Sequence, residues 1–125
     1  MPYVDGFVIP VPKHNLEAYR TMATISETVW REYGALDYKE WLATDVKPGQ
    51  HTSFPHSVQL KDDEVVVFSY IVYESRAKRD EINEKVMKDP RILAFGEPKD
   101  GPFDSQRMLY GGFTSFVGGP QVAAT

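Results

Sequence analysis

The apolar positions of the chain change their period several times, and each change marks an element. Residues 3–11 read YVDGFVIPV, a β-rich run broken by prolines at its end, which predicts a first strand. Over residues 16–33 the apolar positions recur at helical spacing instead, which predicts a long helix. Asn15 is the expected N-cap of this helix, and Gly34 follows it where a left-handed C-cap is favoured.

Three further strands and a second helix follow from the same patterns. Residues 35–43 alternate between the two faces of a strand, and residues 65–73 read VVVFSYIVY, a run typical of a central strand buried on both faces. Ser75 is placed to cap a helix over residues 76–88, whose thin apolar stripe indicates a surface position. Residues 107–117 predict a fourth strand.

The segments between these elements carry prolines and turn residues. Residues 44–64 are long for a connection inside a compact domain, so they either hide a short helix or strand near residues 55–60 or form a functional loop. Residues 91–105 form a second irregular segment. We expect a single domain over residues 1–118 and a loose tail over residues 119–125.

The element order defines the fold class. The sequence β-α-β-loop-β-α-β predicts an α+β, ferredoxin-like βαββαβ antiparallel sheet with two helices on one face. Alternate residues of the first and fourth strands make both faces of that sheet apolar, whereas the helices cover only one. Because an apolar sheet face of this size rarely stays exposed, we expect it to pack against a second copy of the chain as a homodimer.

Composition narrows the class of protein without naming a reaction. The 125 residues contain no cysteine, which excludes disulfides, thiolate metal sites and a cysteine nucleophile. The formal charge of −4 argues against nucleic-acid binding, and no apolar window is long enough for a membrane span, so a cytoplasmic protein is the simplest inference. Phosphate loops, nucleophile elbows and dinucleotide fingerprints are missing, and we predict no cofactor.

Several unusual strings run through nearly the whole chain, namely YVDGFVIPVPK, DVKPG, TSFP, VVFSYIVYESRAKRDEIN, KVM, DPR and MLYGGF. Together they resemble the YbaA-like family of uncharacterised bacterial proteins. The resemblance implies a dimeric α+β barrel, in which the sheets of two ferredoxin-like subunits pair. It implies no activity. Related barrels include small monooxygenases, haem-degrading enzymes, isomerase-like proteins and non-catalytic domains, and a shared fold does not transfer any of these functions.

Two carboxylates inside predicted strands are the first candidates for chemistry. If Asp5 or Glu40 faces a pocket between sheet and helices, burial raises its pKa and it can act as a general base, whereas on a solvated face it is an ordinary polar residue. If the protein is an enzyme, we predict proton transfer or cofactor-free oxygenation, with Glu40 or His51 as the base and Tyr110 as a hydrogen-bond donor. Two glycines follow Tyr110, and they either make room for a ligand or allow close packing.

A basic cluster opens the second predicted helix. The macrodipole disfavours cations at a helix N-terminus, so Arg76 and Arg79 require an explanation. Either they form an anion site for a carboxylate or phosphate group, or they pair with carboxylates such as Asp80.

Two histidines in the long loop are candidates for metal binding. His51 and His56 lie near Asp45, but their spacing matches no known metal motif, and we predict no metal site. Two hypotheses for function follow. The chain either binds or converts a small organic molecule in a pocket between sheet and helices, or it is a non-catalytic dimeric binding module.

Overall fold

The computed structural model describes residues 1–118, so the predicted tail at residues 119–125 lies outside the described part. It contains every long element that the sequence pattern predicts, with ends shifted by a few residues. Within residues 1–118, no helix combines the length and the apolar character needed to cross a bilayer. The strands are β1 (Tyr3–Pro12), β2 (Asp37–Leu42), β3 (Glu64–Tyr73) and β4 (Leu109–Thr114). The helices are α1 (Leu16–Glu32), α2 (Phe54–Ser57), α3 (Arg76–Val86) and α4 (Pro90–Leu93).

The four strands form one antiparallel sheet in the order β2-β3-β1-β4. This order and the βαββαβ succession of the long elements confirm the predicted α+β, ferredoxin-like fold. Val29 of α1 and Ile82 of α3 belong to the same buried cluster as Tyr3, Ile71 and Tyr73 of the two central strands. Both long helices therefore pack on the same face of the sheet, called here the helix face.

The opposite face, called here the open face, carries no long helix. Phe68 lies on it in the middle of β3 and is 43% exposed, although Val66 on the same face is buried. The prediction that the VVVFSYIVY strand is buried on both faces is therefore wrong for the chain taken alone. Alternation places half of its side chains on a face that nothing in the described residues covers along its whole length.

The helix ends show which local predictions the tertiary contacts override. Ser75 accepts a hydrogen bond from the backbone N–H of Lys78 at 3.1 Å, as expected of an N-cap. Asn15 precedes α1 but does not cap it, because its side-chain amide donates instead to the carbonyl of Pro102 at 3.0 Å. Gly34 has a φ of +118°, a conformation in which glycine is favoured.

The long segment between β2 and β3 contains the short helix that the sequence left as one alternative. This helix, α2, begins after Ser53, whose hydroxyl accepts a hydrogen bond from the backbone N–H of His56 at 3.1 Å. Phe54 of α2 packs edge-on against Phe68, with ring centroids 6.4 Å apart. This helix therefore contacts the open face at Phe68.

The glycine pair of β4 has two different surroundings, and this predicts two different alanine phenotypes. A Cβ on Gly112 would lie 2.7 Å from the ring of Tyr3, a core residue, whereas a Cβ on Gly111 would meet the ring of Phe113 at an ordinary 3.7 Å. We expect Gly112→Ala to lower the free energy of unfolding by about 2 kcal/mol through overpacking. Gly111→Ala is the matched control and should be neutral or slightly stabilising in urea denaturation. Equal stabilities of the two variants would contradict this packing.

Candidate functional site

The strand register aligns the candidate residues in one row across the helix face. Glu40 of β2 lies opposite Ser69 of β3, Ser69 lies opposite Phe7 of β1, and Phe7 lies opposite Tyr110 of β4. Neighbouring strands are about 4.8 Å apart, so Glu40 and Tyr110 stand about 14 Å from each other, at the two edges of the sheet. The predicted base Glu40 and the predicted donor Tyr110 are thus on the same face of the sheet but at opposite ends of one row.

A cavity of about 350 Å³, called here the inner cavity, lies between this row and the helices. Its walls are mainly aromatic and aliphatic, and its volume is in the usual range for small-molecule sites. A second cavity of about 420 Å³, called here the outer groove, runs along the other side of α1. The two share four lining residues, Tyr19, Ala23, Tyr38 and Glu40. Glu40 and its neighbours therefore form the partition between the two cavities.

Glu40 is half-buried in this partition and is held by two tyrosines. The hydroxyl of Tyr19 on α1 donates to one carboxylate oxygen, and the hydroxyl of Tyr38 donates to the other at 3.0 Å. Burial raises the pKa of Glu40 above that of an ordinary glutamate, and the two hydrogen bonds act in the opposite direction. Burial, followed by the charge of Glu40, also raises the pKa of both tyrosines, so they remain donors.

Glu40 differs from the other shielded carboxylates of the protein. Within residues 1–118, every other buried or half-buried acidic side chain forms an ion pair with an arginine, and residues 119–125 include no basic residue. The pairs are Asp5–Arg79, Glu27–Arg31, Asp37–Arg31, Glu64–Arg107 and Asp89–Arg91. Glu40 is stabilised by neutral donors alone, so the described contacts give its charged form no cation.

Ser69 and Tyr110 are the other polar groups of the row. Ser69 is 3% exposed and lines the inner cavity, and its hydroxyl makes no hydrogen bond to another described residue. Tyr110 is largely exposed, lines the inner cavity, and stacks on Phe7 with ring centroids 6.4 Å apart and planes at 22°. Both hydroxyls are available to a molecule in the inner cavity.

Of the two arginines predicted as an anion site, Arg79 lines the inner cavity and Arg76 does not. Arg79 lines the inner cavity, but its guanidinium is bound to Asp5 at 2.6 Å and to Asp80 at 2.7 Å, above the ring of Tyr3. Arg76 is exposed at the start of α3 and lies outside the lining of the inner cavity. These contacts correspond to the carboxylate-pairing alternative for Arg79, which also removes Asp5 as a free base.

The loop histidines lie away from this constellation. His51 is exposed between β2 and α2, His56 is exposed within α2, and neither lines the inner cavity or the outer groove. No group of three or more potential ligands among the histidines and acidic residues of the described chain is arranged to hold a metal ion. Of the predicted catalytic residues, Glu40 and Tyr110 therefore line the same cavity from opposite edges of the sheet, whereas His51 lies outside it.

Sequence reasoning missed several of the residues that complete the site. The core-facing position of Tyr19 on the first helix was visible in the pattern, but its pairing with Glu40 joins positions 21 residues apart. Asn83 of α3 accepts from the indole of Trp30 at 3.0 Å and from the hydroxyl of Tyr73 at 3.3 Å at another wall of the inner cavity. Such contacts leave no signal in a single sequence.

Comparisons with known proteins agree with this fold. The family model described as "Protein of unknown function (DUF1428)" matches residues 2–105. The uncharacterized protein YbaA of Escherichia coli K12 is 47% identical over 117 residues, covering 94% of this chain and 98% of that protein, and YbaA of Shigella flexneri matches equally well.

Two solved structures share the fold at low identity. One is Rv0793 from Mycobacterium tuberculosis, with a TM-score of 0.54 at 15% identity, covering 96% of this chain and 100% of that chain. The other is a NIPSNAP domain protein from Burkholderia xenovorans, with a TM-score of 0.54 at 13% identity, covering 94% and 98%. On its sequence the chain belongs to the DUF1428 family, together with YbaA, and no function is established for that family.

Proposed function

We propose that the protein binds a small organic molecule in the inner cavity and that Glu40 acts there as a general base. The observation that carries the proposal is the environment of Glu40: it is the only shielded carboxylate of residues 1–118 without an arginine, and it lines the cavity. A carboxylate neutralised by a cation is a weak base, whereas one shielded from water with neutral donors keeps its affinity for protons.

The proposed step is a reversible proton transfer. The Glu40 carboxylate takes a proton from a C–H next to a carbonyl group of the bound molecule, and the C–H electron pair moves into the enolate. The oxygen of the enolate then needs a hydrogen-bond donor, and the Ser69 hydroxyl lies directly beside Glu40 in the row, on the neighbouring strand. Return of the proton to the same carbon regenerates the carboxylate, so the step needs no oxidant or cofactor.

The partition position of Glu40 supports such a role. Because Glu40 and Tyr19 line the outer groove as well as the inner cavity, the proton taken from the ligand can exchange with water on the far side of the partition. A base buried on all sides could exchange its proton with solvent only after the ligand had dissociated. This arrangement favours exchange with solvent during each binding event.

Deuterium exchange measures the proposed step directly. In D₂O, the protein is expected to accelerate loss of the C1 proton of 2-tetralone, followed by proton NMR, and Glu40→Gln should lower that acceleration by about 100-fold. The wild-type rate should rise with pH through a pKa above the ordinary glutamate value, because burial raises the pKa of Glu40.

His51→Ala is the matched control, because His51 is exposed and lines neither cavity. It should leave the exchange rate unchanged. A Glu40→Gln protein that exchanges as fast as the wild type would overturn the base and leave the non-catalytic binding module as the better description. A loss in His51→Ala alone would move the base to the loop.

We also propose that two copies of the chain pair through their open faces. Phe113 of β4 is 60% exposed on this face, and Phe68 of β3 and Trp41 of β2 are exposed on it as well, with the Lys39 ammonium over the Trp41 ring. A monomer rarely leaves several large aromatic side chains of one sheet face in water. Its low charge favours a second copy of the same face, because a two-fold dimer buries one patch against itself.

A further inference from the structure

We infer that the ligand of the inner cavity is an uncharged aromatic molecule with an acidic O–H or C–H, and that molecules carrying a carboxylate are rejected. This inference rests on the proposed function, because it names the class of molecule that the cavity of Glu40 accepts. It is carried by the balance of charges around the cavity and by the order of the polar groups on its floor.

The charges around the cavity exclude an anion. Among the described residues that line it, Arg79 is the only basic one, whereas Asp5 and Glu40 are acidic. Arg79 already holds two carboxylates, Asp5 at 2.6 Å and Asp80 at 2.7 Å. An incoming carboxylate would therefore meet a cation whose charge is already compensated, and nothing in a wall of low polarity would offset the loss of its hydration.

A cation is not favoured either. Asp5 is paired with Arg79, so its charge is already compensated and offers little attraction to an amine. Burial disfavours the charged form of Glu40, so the remaining carboxyl group is a poor counter-ion although it is a good proton acceptor. An uncharged molecule loses the least hydration on entering a cavity of this composition.

The floor and roof of the cavity suit an aromatic ring. Phe7 and Tyr110 lie nearly parallel on the floor, and Trp30, Phe103 and Met22 line the same cavity. Aromatic rings and methionine thioethers pack well against a flat π-system. Toward the β2 edge the floor continues to the Ser69 hydroxyl and the Glu40 carboxyl, so a ring on Phe7 directs a polar substituent to Glu40.

Four naphthalene probes separate the effect of ligand charge from that of hydrogen-bond donation, because they share one ring system and differ in a single substituent. Isothermal titration calorimetry at neutral pH compares 2-naphthol, 2-methoxynaphthalene, 2-naphthoate and 2-(aminomethyl)naphthalene. We expect 2-naphthol to bind at least tenfold more tightly than the anion and the cation. It should also bind about tenfold more tightly than its methyl ether, which cannot donate a hydrogen bond to Glu40.

Two variants assign these preferences to residues. Glu40→Gln should remove the preference for the naphthol over its ether, because the proton acceptor is lost. Asp80→Asn changes an exposed side chain and frees part of the charge of Arg79. It should raise the affinity for 2-naphthoate about threefold and leave that for 2-naphthol unchanged.

The outcomes that overturn the inference differ from those that overturn the proposed function. Binding of 2-naphthoate or of the amine at least as tight as that of 2-naphthol would refute the uncharged class, and Glu40-dependent exchange of 2-tetralone could still stand. A naphthol preference that survives in Glu40→Gln would refute proton sharing with Glu40. If none of the four probes binds while 2-tetralone, which itself carries a benzene ring, is still exchanged, molecules with an acidic O–H are excluded from the ligand class and the base still stands.

Discussion

Replacing Arg107 with methionine is expected to lower the free energy of unfolding by about 3 kcal/mol. Arg107 and Glu64 form an ion pair whose side chains are 12% and 4% exposed. The same guanidinium donates to the carbonyl groups of Val58 at 3.1 Å and Gln59 at 2.9 Å, so it joins the start of β4 to the turn after α2. Methionine preserves most of the volume but leaves the Glu64 carboxylate buried without a cation.

The pH dependence of this loss has a definite sign. Hydrogen bonds from Arg107 hold the pKa of Glu64 below its usual value, so the pair stabilises the fold above that value and the contribution is lost as the pH falls through the folded-state pKa. The difference between wild type and Arg107→Met should therefore be largest near neutral pH and shrink in acid. Urea denaturation at several pH values measures it.

Arg20→Met is the matched control for this variant. Arg20 pairs with Glu17 at 3.7 Å with both side chains largely exposed, and such pairs contribute about 0.5 kcal/mol or less. Its stability should follow that of the wild type at every pH. If the two methionine variants lose the same amount, burial does not set the strength of the Arg107–Glu64 pair.

Placing an aspartate at Phe68 is expected to convert the proposed dimer into a monomer. Phe68 is central on the open face and packs against Phe54 and Tyr70, with ring centroids 6.4 and 6.3 Å away. In a two-fold dimer the variant would bury two carboxylates without partners, which costs several kcal/mol. Native mass spectrometry should find twice the chain mass for the wild type and the single chain mass for Phe68→Asp.

Leu93→Asp is the control for this experiment, because Leu93 is an exposed apolar residue on α4 rather than on the sheet. It should remain dimeric. We expect Phe68→Asp to fold, because the side chain at this position points away from the helix face. A far-UV circular dichroism spectrum like that of the wild type would confirm this. A wild-type protein that is already monomeric would refute pairing through the open face.

Elements with a regular apolar period were predictable, because period and capping are local properties. The helix over residues 16–33 and the apolar run at residues 65–73 fall within a residue or two of α1 and β3, and the element order gave the ferredoxin-like fold. The side chain of Asn15 was predicted wrongly, since Pro102 lies 87 residues away and offers a carbonyl group that competes with the helix end. Local rules cannot weigh such a partner.

In the candidate site, too, the positions of residues on a strand or helix were predictable, whereas their partners were not. The alternation of strand 2 put Tyr38 and Glu40 on one face, but whether that face is wet or dry depends on α1, which brings Tyr19 onto the carboxylate. The positive charge of Arg79 in the first turn of α3 was evident from the sequence. Its ion pair with Asp5, 74 residues away, was not, and this pair compensates the charge. His51 was a reasonable base by residue type, and only its place in an exposed segment removes it from the cavity.

The sequence by itself determined the elements, their order and hence the sheet with two helices on one face, because these follow from periodicity, turn residues and the limited ways of connecting strands. The tertiary structure alone decided which carboxylates are neutralised by arginines and which one is left with tyrosine hydroxyls. The physical reason is that the solvation and pairing of a charge depend on the groups that strand register and helix packing bring near it. The spacing of residues along the chain does not specify the distances to those groups.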